Sequence, residues 1–172
     1  YEVTGVGYNP AGEIMLGNEK IPAQETGHTF LRLAKGMSFC NNARLFIDKD
    51  TNNWTIKGDP TEGALLVAAK KAGFDYGTEI NNEPRIFMLP FDSNRKRMTS
   101  IHETENGMVA FVKGAPKEVL SLCNKVETGG KAVDLSPNIR DAIINANDGY
   151  AKRALRVLAI AYRKMDGYQG EY

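Results

Sequence analysis

The chain has 172 residues, 42% of them hydrophobic and 25% charged, with 22 Lys and Arg against 21 Asp and Glu for a formal charge of +1. That length suits one domain with a genuine core, and the composition excludes disorder, collagen or coiled coil as a description of the whole. The near-neutral balance excludes a global field toward nucleic acid or lipid.

Residues 1–8 read as a strand. Asn9-Pro10-Ala11-Gly12 is a turn, because Pro fixes φ and Gly tolerates positive φ, and residues 13–16 form the return strand. Residues 26–40 carry Phe30, Leu31, Leu33, Ala34, Met37 and Phe39 at helical spacing, weakened by Gly36 and ended by Asn41-Asn42. Residues 43–47 and 54–57 flank the polar DKDTNN segment as a hairpin. Asp59 as N-cap, Pro60 at N1 and Glu62 at N3 of a capping box open a helix with Leu65, Ala68, Ala69 and Ala72 as its buried stripe. Lys70 and Lys71 suit its C-terminal dipole, and Gly73 stops it.

Strands are predicted over 85–91, 96–103 and 108–113, the last two joined at 104–107. Pro116 opens a short helix through Cys123, and a hairpin turns at Gly129-Gly130. Ser136-Pro137 opens a helix with Ile139, Ala142, Ile143 and Ala146 on one face. Apolar residues on both faces over 155–162 predict a central strand. Hairpins dominate, so the fold class is α+β, an antiparallel sheet with helices packed on it, in a single domain over 1–172.

Two motifs fail their own context. Asp48, Asp50 and Asn52 begin like a calcium loop, but Asn53 stands where the loop needs Gly, and strands flank it. Gly5 and Gly7 lack the third glycine and the helix of a dinucleotide fingerprint, and no Walker A loop occurs. Cys40 and Cys123 have no CxxC spacing, which argues against a disulfide framework or zinc site and fits a reducing compartment; two histidines are too few for a histidine-rich metal site. No apolar run is long enough to span a membrane. The cationic run Arg95-Lys96-Arg97 is, by itself, a solvated turn.

Four segments change that reading: KGDPTEGALL (57–66), LPFDSNRKRM (89–98), KGAPKEVLSLC (113–123) and RALRVLAIAYR (153–163). In this order and spacing they resemble the nucleotide-binding domain of P-type cation-transporting ATPases of the P2 group. TGVGYNPAGEI (4–14) and SFCNNA (38–43) extend the resemblance, which is closest to bacterial and archaeal calcium pumps. It implies that Phe91 stacks on the adenine ring, that Lys113 lies deep in the pocket, and that Gly114 permits close backbone approach. It further implies that Glu62 faces the adenine, that Arg156 and Leu158 line the entrance and the second face of the ring, and that Lys96 and Met98 line the pocket. Animal calcium pumps have Arg where Ser93 stands here, so a phosphate contact there is lost or passes to Arg95 or Lys96. ATP needs an apolar slot, a stacking aromatic and cations, and these residue types supply them.

The phosphorylated aspartate motif DKTGTLT, the TGES and TGDN motifs and membrane helices do not occur in the sequence. The resemblance therefore implies a piece of a longer pump: a cytoplasmic domain of an integral membrane protein, monomeric by itself, without its own catalytic residue or metal site. Its partners are ATP and the phosphorylation and actuator domains of the same parent chain, with Mg²⁺ held in the parent enzyme and no direct contact with membrane or nucleic acid. Two rival readings are a self-contained phosphotransferase, for which no carboxylate cluster or P-loop is found, and a protein-interaction domain reusing Phe91 and the basic run. Within the resemblance, the absence of the proton-pump and sodium-pump versions of the PF segment points to calcium, with a pump for another cation (Mg, Na/K or H) as the alternative.

Overall fold

The computed structural model describes residues 1–25 and 27–166, which fall into two units divided between Asn81 and Asn82. In the first unit, β1 (Glu2–Val3), β2 (Ile14–Leu16) and β3 (Glu19–Ile21) form an antiparallel sheet in that order. The strand predicted over 1–8 shrinks to two residues because Gly5 and Gly7 take positive φ, 97° and 67°, and turn the chain away. β3 was not expected; Gly17, at φ 62°, opens a two-residue Gly-Asn turn that pairs it with β2.

Helix α1 (Gly27–Phe39) buries Phe30, Ala34, Met37 and Phe39, while Leu33, predicted in the stripe, is 41% exposed. β4 (Arg44–Ile47) and β5 (Trp54–Lys57) pair as predicted, and Asp48 holds their turn by accepting from the backbone N–H of Asp50 and Thr51. Helix α2 (Pro60–Lys71) starts at the Asp59 cap, whose carboxylate accepts from the N–H of Thr61 and Glu62. Its buried arc is Gly63, Leu66, Val67 and Ala69, with Ala72; Leu65 and Ala68 are only half-buried. The arc is rotated from the predicted one because α2 packs on α1 and also on the β4–β5 hairpin, so closely that a Cβ on Gly63 would lie 2.6 Å from Ile56 Cδ1. Helix α3 (Tyr76–Asn82) was not predicted: it buries no residue, so it has no apolar stripe to read, although Asp75 accepts from the Gly77 N–H at its start.

In the second unit, β6 (Arg85–Asp92), β7 (Arg97–Thr104) and β8 (Gly107–Gly114) form a meander. Helix α4 (Pro116–Leu120), the hairpin β9 (Lys125–Thr128) and β10 (Lys131–Asp134), helix α5 (Pro137–Lys152) and strand β11 (Ala159–Met165) follow. The sheet order is β11-β8-β7-β6, antiparallel throughout. The last strand is therefore an edge strand, not a central one, and starts at Ala159 rather than 155. The helix end explains the late start: Ala154 takes φ 58° and the Leu155 N–H still donates to the Tyr150 carbonyl, a helix-terminating bond.

Helix α4 ends at Leu120, short of the predicted Cys123; beyond it the chain makes tighter bonds, Leu122 N–H to Val119 and Cys123 N–H to Leu120. On α5, Ile139 and Ile143 are half-buried as expected, but Ala142 and Ala146 are exposed. The inward stripe runs instead through Ile144, Asn147 and Asp148, and Asp148 pairs with Lys117 of α4 at 3.0 Å. The core of the sheet buries Met98, Ser100 and His102 on one face of β7 and Ile101 on the other, beside Phe111 and Ala110 of β8. The architecture is α+β, antiparallel sheets with helices packed on them, as the sequence predicts.

Candidate functional site

The strand register places Asp92, Arg97, Gly114 and Ala159 in one row across β6, β7, β8 and β11. Phe91 immediately precedes that row on β6 and Ser93 follows it. Lys96 lies in the turn just before it and Met98 just after it on β7, Lys113 precedes it on β8, and Leu158 and Arg156 lie in the stretch of chain that leads into β11. The topology thus gathers every sequence-predicted site residue except Glu62 at one end of one sheet. Glu62 lies in the other unit, on the first turn of α2.

Phe91 sits where the β6–β7 register slips, between Leu89 and Asp92. Pro90 has no N–H for the ladder, and the irregularity leaves the Phe91 ring 62% exposed. The plain-core alternative for Phe91 is thereby excluded. The loop that follows is tightly tied. Asp92 Oδ1 accepts from the N–H of Asn94 at 3.0 Å and of Arg95 at 2.8 Å, and the Asp92 carbonyl accepts from the Lys96 N–H at 2.6 Å. Lys96 takes φ 50°, uncommon for a residue with a side chain, and its carbonyl accepts from the Ala115 N–H at 2.9 Å.

Gly114 makes that closure possible. A Cβ there would lie 2.7 Å from Arg97 Cα and closer still to the Lys96 carbonyl oxygen. The absent side chain at Gly114 thus lets the chain's own 96–97 backbone come close.

The cations divide by environment. Lys113 is only 5% exposed, in register between Met98 and Ile160, so it is no surface strand end. Lys96 projects outward, its ammonium 3.6 Å from Glu118 on α4, a partner not foreseen from the sequence. Arg95 folds back, with Nη2 donating to the Pro90 carbonyl at 2.9 Å and Nε 3.8 Å from the Asp92 carboxylate. Ser93 and Arg156 are exposed, Leu158 is half-buried and Met98 is interior.

In the first unit, the Glu62 carboxylate accepts from the Asn42 N–H at 3.1 Å. The buried Asn41 amide donates to the carbonyls of Glu62 and Met37, both at 2.9 Å, while its oxygen accepts from the Ala43 N–H. Asn41-Asn42 reads in the sequence as a helix end, and a polar pair directly after an apolar helix is the signal for this clasp. A cleft of about 390 Å³ beside it is lined by Asn42, Arg44, Lys57 and Gly58, none of them a predicted site residue. Among the described residues, no group of three or more His, Cys, Asp or Glu is placed to hold a metal ion, and no helix is long and apolar enough to cross a membrane.

A family model described as P-type ATPase, cytoplasmic domain N, matches residues 29–171. Among curated proteins, the chain is 37% identical over 165 residues to a calcium-transporting ATPase of Bacillus subtilis, covering 95% of this chain and 18% of that protein. It is 33% identical over 139 residues to calcium-transporting ATPase 1 of Lactococcus lactis, covering 81% of this chain and 15% of that protein. A probable cation-transporting ATPase F of Mycobacterium tuberculosis is 34% identical over 156 residues, covering 91% of this chain and 17% of that protein. The chain spans less than a fifth of the length of these relatives.

Proposed function

The chain belongs to the P-type ATPase cytoplasmic domain N family, and from that membership we propose that it binds ATP at the Asp92–Arg97–Gly114–Ala159 end of its four-stranded sheet. Phe91 stacks on the adenine ring, Leu158 and Arg156 border the ring and the entrance, and Lys113 and Lys96 face the phosphates, with Met98 beneath and Ser93 at the rim. For Glu62 the family resemblance supplies a separate assignment, acceptance of a hydrogen bond from the 6-amino group of the base. The observation that carries the reading is Phe91, an aromatic ring left in solvent at a strand irregularity, on the same sheet end as a nearly buried lysine. Stacking needs an accessible ring face, and a phosphate needs a cation that water does not fully screen.

In the parent protein the bound ATP presents its γ-phosphate to an aspartate of a neighbouring phosphorylation domain, where Mg²⁺ is held. The parent is then an ATP-hydrolysing cation transporter with this domain on its cytoplasmic side. Relatives named as calcium-transporting ATPases support calcium as the cargo.

The experiment is a titration of the purified chain with ATP. With part of the phosphate environment supplied elsewhere, binding is expected on the order of 0.1 to several mM, about −3 to −5.5 kcal/mol, changed little by Mg²⁺ and without hydrolysis. Steady turnover by a clean preparation, or no binding at all, contradicts this reading.

A further inference from the structure

Arg95 belongs to the only cationic run in the sequence and was a candidate to replace the phosphate contact missing at Ser93. Its geometry assigns it otherwise. The guanidinium is turned back under its own loop, donating to the Pro90 carbonyl at 2.9 Å, with the Asp92 carboxylate beside its Nε. Pro90 lies inside the register shift of β6, between the last regular pair, Leu89 with Thr99, and the closing pair, Asp92 with Arg97. A carbonyl at such a slip loses its regular ladder geometry, and Arg95 supplies a donor there. The Arg95 N–H is tied to Asp92 Oδ1, and its carbonyl accepts from Arg97 Nη1 at 3.2 Å. Side chain, N–H and carbonyl of Arg95 are thus all committed to the loop that starts at Phe91.

We propose that Arg95 is a positioning residue for Phe91: by bonding the Pro90 carbonyl it fixes the β6 irregularity that holds the aromatic ring outward for the base, and it makes no contact with phosphate. The inference rests on the reading of Phe91 as the adenine-stacking residue. It predicts that Arg95 acts on the base half of the ligand. A phosphate ligand would act on the other half, and its effect would grow with phosphate number and weaken with salt.

The test measures affinity for adenosine and for ATP in the wild type, Phe91→Ala, Arg95→Ala, Arg95→Lys and the Phe91→Ala/Arg95→Ala double variant, with thermal melts alongside. Arg95→Ala is expected to weaken adenosine and ATP by the same factor, about three- to tenfold, at low and moderate salt alike. Arg95→Lys keeps the charge but lacks the planar fork, so it is expected to lose affinity in the same way; it also stands in should the alanine variant fold poorly. In the double variant, removal of Arg95 should add nothing to the loss from Phe91→Ala, because the ring it positions is gone.

Loss of ATP affinity with adenosine unchanged, or full retention by Arg95→Lys, makes Arg95 a phosphate ligand and overturns the proposal. Equal further loss in the Phe91→Ala background also overturns it. If Phe91→Ala itself leaves both affinities unchanged, the stacking assignment is what fails, and the inference falls with it.

Discussion

The Phe91 ring is mostly in solvent, while the backbone beneath it is fixed by Asp92, Arg95 and the 96–115 closure. Folding therefore owes little to the ring. Phe91→Ala is expected to weaken ATP by about 1–2 kcal/mol, the usual size of base–aromatic stacking, and to leave the melting temperature nearly unchanged. A large drop in the melt would contradict the exposed placement. Glu62 is the harder residue, because its carboxylate already accepts from the Asn42 N–H. A carboxylate has lone pairs enough for a second donor. On the proposed role, Glu62→Ala costs ATP roughly 1.5–3 kcal/mol and inosine triphosphate, which lacks the amino group, much less, with only a small shift in the melt. Equal affinities with a lowered melt would reduce Glu62 to a structural tie. Phe91, Lys113 and Glu62 are nominated by motif alone. The roles of Arg95, Asn41 and Glu118 emerged only with the fold, because each depends on a backbone or side-chain partner that sequence spacing does not bring into view.

Elements with local signals were the legible ones. The Asp59-Pro60 and Ser136-Pro137 starts and the β4–β5 and β9–β10 hairpins stand where turn and cap chemistry puts them. Illegible were features set by tertiary context: α3 has no buried stripe, α2 packs on two neighbours at once, and the edge position of β11 follows from strand order, which periodicity does not encode. The turn between β4 and β5 gives an element-scale prediction. Hydrogen bonds from the Thr51 N–H and hydroxyl, with a smaller one from the Asp50 N–H, hold the Asp48 carboxyl below the usual carboxylate value of 3.8. A lowered folded-state value means that folding favours the ionised form. The contribution is thus present above about pH 4 and is lost as pH falls through the folded-state value. Asp48→Ala should destabilise the chain near neutrality, and its difference from the wild type in denaturant titrations should shrink below about pH 3.8. A difference that stayed constant down to about pH 2 would remove ionisation from the explanation.

At the scale of the whole molecule, family membership was readable because four motifs lie in fixed order, and three of them pass through one row of one sheet. The fourth, around Glu62, lies in the other unit. The proposed nucleotide site is the row Asp92–Arg97–Gly114–Ala159. Amide chemical-shift mapping of the full chain during an ATP titration locates the ligand residue by residue. Saturable shifts are expected at Phe91, Ser93, Lys96, Lys113, Gly114 and Leu158, reproduced in part by adenosine. Shifts confined to the cleft of Asn42, Arg44, Lys57 and Gly58, with the sheet end unmoved, would contradict it.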